Sequence, residues 1–406
     1  MAGTIPEEII TTPAQLKGLL EHLRAIGRFA FDTEFVSEDT FEPVLCLIQV
    51  APRERLAVID PLAVRDVLPF WDVVLDPAIE VVMHAAGEDL RICHIRTQAL
   101  PQRVFDVQMA AGLAGLSYPL SLVNLVGQVL GISLAGSETR TDWRHRPLTA
   151  AQLNYALDDV RHLLELADYF TGRLTELNRT AWAEAEMGDF IESIAQRADE
   201  DRWRRLPGLH QLSRRSLEMA RRLGEWREDE ARRQNRPLRQ VVRDDLLVAI
   251  AKRQPRTRRD LEALRDFNRP ALLNRSNEIL AVVEQARAVP EAELPELPPR
   301  HEEPPGLSTV TNLLSAALAQ CCVQNQLAGS LVANVADLKQ LVRWHLGGRK
   351  DSHPPALLQG WRGELCGSLL LNVLEGKLAL RVVDPESEFP VAIEELRPKP
   401  HESGAP

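Results

Sequence analysis

Apolar and polar positions follow two different periods along this chain. Between residues 15 and about 170, short β-branched runs alternate with segments of helical spacing. The strand-like runs are RFAFDTEF (28–35), VLCLIQVA (44–51), RLAVIDP (55–61) and EVVMHA (80–85). The helical segments are TPAQLKGLLEHLRAIG, EDLRICHIRT, SLVNLVGQVLG and TAAQLNYALDDVRHLLELADYF. The first three strands follow one another closely, which predicts an antiparallel meander. Later strands alternate with helices, so the expected fold is a mixed α/β sheet with helices packed on it.

Past residue 171 strand signals disappear. Residues 200–288 read as a compact all-helical unit broken at LPGL, NRPL and KRQPRT. A Pro/Glu-rich linker over 289–306 follows, with the composition of extended or disordered chain. Helical patterning resumes over 307–396 (TNLLSAALAQCCVQNQL, VADLKQLVRWHL) and ends in a small hairpin signalled by KLALRVVD. The tail, 397–406, reads as disordered.

Composition fits this division. A chain of 406 residues, 45% hydrophobic and 26% charged, holds about two or three ordinary globular domains. No apolar run has the length of a transmembrane helix. The N-terminus MAGTIPEEII carries no secretory pattern, so a cytoplasmic location is the expectation. Five scattered cysteines without a CxxC pair argue for reduced, buried thiols over a disulfide framework or a zinc site.

The net charge of −10 speaks against nucleic acid until its distribution is read. Between Trp203 and Pro270 stand 19 Arg or Lys against 10 Asp or Glu, a surplus of nine. A basic module inside an acidic chain points to phosphate binding, or to a solvated arginine-rich surface.

Within RFAFDTEF the two-residue period puts Ala30, Asp32 and Glu34 on one face. Phe29, Phe31, Thr33 and Phe35 take the other. Two same-face carboxylates repel unless a cation lies between them, and oxygen ligands suit Mg²⁺ or Mn²⁺. Surface Lys or Arg could neutralise them equally. In HAAGEDLRI, Gly87 ends a strand and Glu88 and Asp89 open a helix, where acids also simply complement the helix dipole. In LTAAQLNYALDDVRHLL, Thr149 and Gln152 form a capping box. Tyr155 and Asp159 then lie one turn apart, beside the stripe Leu153, Leu157, Val160 and Leu164.

In this order the segments FDTEF, LIQ, IDPL, HAAGEDL, TRTDWRHRPLT and YALDDVRHLL resemble the DEDDy branch of the DEDD exonuclease superfamily. Within it they are most similar to the ribonuclease D family. The stretch starting WRRLPGLHQLSRRSLEMARRLGEW resembles the HRDC domain that follows the nuclease there, and the LLQGWRGEL tail looks like a divergent second one. The resemblance implies a ribonuclease H-like nuclease domain over 1–180, an HRDC domain over 200–288 and an HRDC-like helical domain over 307–396. It assigns Asp32 and Glu34 to the first nuclease motif, Asp89 to the second and Asp159 to the third, with Tyr155 the subclass tyrosine. These four acids would hold two Mg²⁺ or Mn²⁺ ions. Where the family often has Lys before its Ser-x-x-x-Thr-Asp-Trp run, this chain has Gly136.

The implied activity is metal-dependent 3′→5′ hydrolysis of RNA to 5′-nucleoside monophosphates by a cytoplasmic monomer that binds no membrane. The implied substrates are transfer-RNA precursors with 3′ trailers and other small structured RNAs. Expected phosphate contacts are Arg140 and Arg146 near the site, and Arg214, Arg215, Arg221 and Arg222 in the helical module. Trp143, among the first group, is expected to pack rather than stack a base. A DEDDy DNA exonuclease of the proofreading or helicase-associated type would use the same acids. An RNA-binding protein descended from a nuclease but inactive would have lost one of them, and all are present. No GxxxxGK[ST] motif occurs, which excludes a helicase motor on this chain.

Overall fold

The computed structural model describes residues 7–134, 141–199, 201–297, 303–349 and 354–396. Arg140, Gly136 and the 397–406 tail lie outside them. Strands β1 (Glu7–Ile10), β2 (Arg28–Val36), β3 (Val44–Ala51), β4 (Leu56–Ile59), β5 (Glu80–Met83) and β6 (Val104–Asp106) form one sheet. Its order is β1–β4–β3–β2–β5–β6. The expected meander is β2–β3–β4, antiparallel throughout. β1, β5 and β6 join in parallel, making the sheet mixed. β1 and β6 have four and three residues, too short for a two-residue period to register, and the sequence reading missed both.

Each face of the sheet has its own core. Phe29 and Phe31 meet Phe70 and Trp71 of α2 (Leu68–Val74). The same core takes Leu16, Leu19 and Leu23 of α1 (Pro13–Ile26) and Leu90 of α3 (Gly87–Thr97). A Thr12–Gln15 capping box starts α1, and Gly27 (φ 70) ends it in the left-handed conformation glycine tolerates. The opposite face carries Ala30, Leu47, Val58 and Val82. It is covered by α4 (Val107–Leu113), α5 (Leu122–Leu130), α6 (Ala150–Arg161) and α7 (Leu163–Glu176).

The single helix expected over 149–170 is two. His162 (φ −106, ψ 1) leaves helical geometry between them. α6 packs across β2, β3 and β4, whereas α7 packs on β5 and α4. One straight helix could not cover both halves of a twisted sheet.

After α8 (Thr180–Asp199) the helical module builds a separate core. It uses α9 (Arg214–Gln234), α10 (Leu238–Val241), α11 (Asp244–Arg253), α12 (Pro270–Leu273) and α13 (Ser276–Ala288). The first part of the expected linker is not extended free chain: Leu294 is buried, and Arg214 donates to its carbonyl at 2.7 Å.

The last module contains α14 (Leu307–Gln324), α15 (Val335–Leu346), α16 (Ser368–Leu374) and a hairpin of β7 (Leu378–Val382) and β8 (Val391–Glu395). It shares a core with the sheet's helical face. Ala328 N donates to Gly112 O at 3.0 Å, and a Cβ on Gly112 would sit 3.1 Å from Leu331. Trp182 stacks on Trp361 at 5.5 Å, while Arg362 grips Glu186 with two bonds of 2.6 and 2.8 Å. All five cysteines are buried and unpaired. Among the described residues no helix is long and apolar enough to cross a membrane.

Candidate active site

Asp32 and Glu34 share a face of β2, as the alternation requires. Immediately after Glu34 the pairing with β3 slips: Glu34 opposes Leu47, but Phe35 opposes Leu45. Such a bulge bends a strand and re-aims its side chains. The strand's other neighbour, β5, pairs only with Arg28–Ala30, so beyond Ala30 that edge of β2 carries no partner strand. The chain leaving β5 turns there into α3, and Asp89 in its first turn reaches the gap, 6% exposed.

That turn is held from below. Ala85 adopts φ 57, an unfavourable conformation for a residue with a Cβ. The buried Asp106 carboxylate accepts from Ala85 N (3.3 Å) and Ala86 N (2.9 Å) and also caps α4 through Gln108 N (2.8 Å). Sequence reasoning missed Asp106, although an Asp before a helical run is a capping signal.

The third contribution comes from α6, started by the Thr149–Gln152 capping box. Its Tyr155 and Asp159 sit one turn apart, close enough for each to shift the other's titration. One carboxylate oxygen from each of Asp32, Glu34 and Asp159 lies within 4.8 Å of the other two. Asp89 stands outside this trio, and its Oδ1 accepts the Thr33 hydroxyl at 2.5 Å. Thr33 was read only as a core-side residue, because its face of β2 is opposite the acids.

The electrostatics of the cluster are those of crowded, buried anions. Burial, then the charges of Asp89, Asp159 and Glu34, push the Asp32 carboxyl well above the usual range. Glu34 is pushed up to about 8 by burial and by Asp159 and Asp89. Burial carries Asp89 to about 7, with the Thr33 hydroxyl pulling the other way. Asp159 also reaches about 7 through burial, with the Tyr155 hydroxyl pulling the other way. Tyr155 itself is raised by burial and by Asp159, Glu34 and Asp32, so it keeps its proton. An oxygen-only donor set of mutually repelling carboxylates fits a hard divalent cation.

The arginines expected on phosphate behave differently. Arg146 forms a two-bond clamp on the buried Asp60 (2.6 and 2.9 Å) and also donates to the carbonyls of Cys46, Trp143 and His145. Burial disfavours the Asp60 anion, yet Arg146 outweighs it and keeps that carboxyl below its ordinary value. Arg214 and Arg215 bind carbonyls at the end of α13 and in the chain beyond it. Arg221 and Arg222 both bind the buried Glu218, at 2.7 and 2.6 Å. All five guanidinium groups have partners within the protein, so a phosphate at any of them would share the group with these bonds. Local charge surplus counts cations without showing which are already paired. Trp143 is 2% exposed, with its ring 6.1 Å from that of Tyr155.

Comparison with known proteins agrees with this geometry. Residues 7–175 match a 3′-5′ exonuclease family, 216–283 the HRDC domain, and 305–370 the C-terminal HRDC domain of ribonuclease D. Ribonuclease D of Pseudomonas paraeruginosa is 33% identical over 383 residues, spanning 92% of this chain and 100% of the relative. That of Escherichia coli K12 is 32% identical over 373 residues, 91% and 98% of the two chains. The crystal structure of Escherichia coli RNase D, described as an exoribonuclease involved in structured RNA processing, superposes with a TM-score of 0.79. It covers 91% of this chain and 98% of that one at 31% identity. The catalytic core of RRP6 from Trypanosoma brucei shares the fold, with a TM-score of 0.52 at 23% identity over 71% of this chain and 82% of that one. The sheet with its acid cluster, the two helical modules and these full-length likenesses place the chain in the ribonuclease D family, as a divalent-metal-dependent 3′→5′ exoribonuclease.

Proposed function

We propose that the chain trims 3′ ends of transfer-RNA precursors and other small structured RNAs, releasing 5′-nucleoside monophosphates. It works as a cytoplasmic monomer. Its nuclease domain spans 1–180, its HRDC domain 200–288 and its HRDC-like domain 307–396, with 289–306 as the connection. The observation that carries this reading is the meeting of Asp32, Glu34 and Asp159 oxygens within 4.8 Å, with Tyr155 one turn from Asp159.

In this reading Asp32, Glu34, Asp89 and Asp159 hold two Mg²⁺ or Mn²⁺ ions. When bound, such ions neutralise the acids and stabilise charge on the attacking and leaving oxygens of the phosphodiester. Asp32, whose carboxyl feels the charges of Asp89, Asp159 and Glu34 together, would be a ligand in this set. Tyr155 stands one turn from Asp159 with its oxygen lone pairs placed to accept from the attacking water. Since the phenol stays protonated, it orients that water and does not deprotonate it. Hydrolysis joins the water oxygen to the terminal phosphorus and breaks the P–O3′ bond. The released 3′ oxygen takes a proton and becomes the new RNA end.

The test is to give the chain 3′-extended transfer RNA and matched single-stranded DNA with Mg²⁺ or Mn²⁺, beside Asp32→Ala. Stepwise shortening of the RNA by the wild type alone, with mononucleotide product, is the expected result. Degradation of DNA with RNA untouched, or equal rates for wild type and Asp32→Ala, overturns the reading.

A further inference from the structure

The loop of residues 37–43, between β2 and β3, ties the nuclease sheet to the first helical module. Phe41 is the one residue from outside that module, among those described, to pack against its core. The Arg202 and Arg232 guanidinium groups lie 5.1 and 5.2 Å from the centre of its ring. Asn235 Oδ1 accepts the Phe41 amide at 3.2 Å, and Gln240 Nε2 donates to the Glu38 carbonyl at 3.5 Å. On the nuclease side, Arg144 binds Asp39 at 2.7 Å. The loop is therefore fastened to both bodies, and it begins at the strand that carries Asp32 and Glu34.

Gln240 also lines a small cleft between α10 and α12, together with Arg239, Arg243 and Arg269. Arg243 is neutralised by Asp245 (2.7 Å) and Asp266 (3.7 Å). Arg239 and Arg269 are exposed, and neither has an ion-pair partner among the described residues. Arg214, Arg215, Arg221, Arg222, Arg227 and Arg233 are committed to carboxylates or carbonyls, while Arg236, Arg253, Arg256, Arg259 and Arg265, also without an ion pair among the described residues, do not line this cleft. Two uncommitted guanidinium groups facing one concavity favour an anion, and their fork geometry suits phosphate oxygens. Glu38, whose carbonyl accepts from the cleft's Gln240, is four residues from Glu34. At ~3.3 Å per extended residue this is at most about 13 Å, or about four stacked nucleotides at ~3.4 Å each.

We propose that this cleft binds the sugar-phosphate backbone of the RNA strand whose 3′ end lies at the acids, with Arg239 and Arg269 as its phosphate contacts. Phe41 is the positioning residue that sets the cleft's distance from the cluster. This rests on the exoribonuclease reading above. Base edges have no part in it, so the site takes RNA with little regard to sequence.

The experiment uses the full chain, with Arg239→Ala/Arg269→Ala, Phe41→Ala and, as a charge control, Arg24→Ala. Arg24 is exposed on α1 and outside the cleft. The probe is a hairpin RNA with a single-stranded 3′ tail, bound in Ca²⁺ across a salt series. A trinucleotide cleaved in Mg²⁺ reports mainly on the acids, because it carries only one phosphate beyond the scissile one. The double variant should bind the tailed hairpin about tenfold more weakly, with the slope of log K against log salt reduced by ~1.4. Its trinucleotide cleavage and melting temperature should match wild type. Phe41→Ala should raise KM for the tailed hairpin and leave trinucleotide cleavage unchanged. An unchanged salt slope in the double variant, or an equal loss in Arg24→Ala, overturns the proposal. Failure of the wild type to cleave the trinucleotide would instead strike the exoribonuclease reading.

Discussion

The Thr33 hydroxyl donates to Asp89 Oδ1 at 2.5 Å, across the unpartnered edge of β2 and from the face opposite Asp32 and Glu34. Asp89 is thus steered from outside the acid trio. The bond favours its ionised form against the burial that opposes it. Thr33→Val keeps the shape and removes the donor. A hydrogen bond to a charged group contributes about 1.5–3 kcal/mol, so the metal concentration for half-maximal activity should rise ~10-fold or more. Thr33→Ser should restore it. Metal titrations that superpose for wild type and Thr33→Val would remove Thr33 from the site's machinery.

The acid cluster sets stability against function. Four carboxylates forced together cost free energy that a bound cation offsets. Asp32→Asn removes one charge from the centre of that repulsion. At pH 8.5 in chelator it should melt a few degrees above wild type, at about 2–4 °C per kcal/mol for a domain of this size. The same change should lower RNA hydrolysis by at least ~10³-fold, since metal-assisted charge stabilisation contributes several kcal/mol and each 1.36 kcal/mol is tenfold. Paired calorimetry and single-turnover assays check this. A variant that melts lower than wild type in chelator contradicts the idea that the acids are frustrated.

The pH dependence follows from the same crowding. Asp89 and Asp159 stand at about 7 and Glu34 at about 8 when folded, against about 4 in an unfolded chain. A carboxyl with a raised folded pKa holds its proton more tightly in the folded state. Its stabilising contribution is complete below about pH 4 and is lost as pH rises through 7 to 8. In chelator the cluster should therefore lower the melting temperature between pH 6 and pH 9. Mg²⁺ competes with those protons, so its stabilising effect should be larger at pH 8.5 than at pH 6. At sub-saturating Mg²⁺, activity should climb over the same interval. Melting curves with equal Mg²⁺ shifts at both pH values would contradict this coupling.

How far the sequence exposed this site depends on the range of the interactions involved. The Phe29/Phe31 against Asp32/Glu34 alternation is a property of one strand, and a nine-residue window shows it. The Thr149–Gln152 box and the Tyr155–Asp159 spacing are equally local. The gap beside β2 is different: it exists because β5 stops pairing at Ala30, which no stretch of β2 encodes. Thr33 gains its partner from a helix 56 residues away for that reason. Arginine pairing is a three-dimensional property too. Arg215 finds its acceptors more than 70 residues downstream, so composition alone made it look free. The short strands β1 and β6 depend on neighbours for their pairing and carry no periodic signal of their own.

Arg146 has its guanidinium bound within the nuclease domain, which predicts a structural role for it. Its guanidinium binds Asp60, which is 5% exposed and also caps the helical turn after β4 through Leu62 N (3.0 Å) and Ala63 N (3.3 Å). Through Cys46 O (2.9 Å) it also holds β3 opposite the bulge that follows Glu34. Arg146→Met would leave a buried carboxylate without its cation, a loss that costs about 3–5 kcal/mol. The variant should melt well below wild type, and lowering the pH should recover part of the difference by protonating Asp60. The salt dependence of RNA binding should stay at the wild-type slope, because no phosphate contact has been removed. Arg146→Lys should be intermediate, since a single ammonium cannot form the two-bond fork. A wild-type melting temperature combined with a shallower salt slope would return Arg146 to the RNA surface.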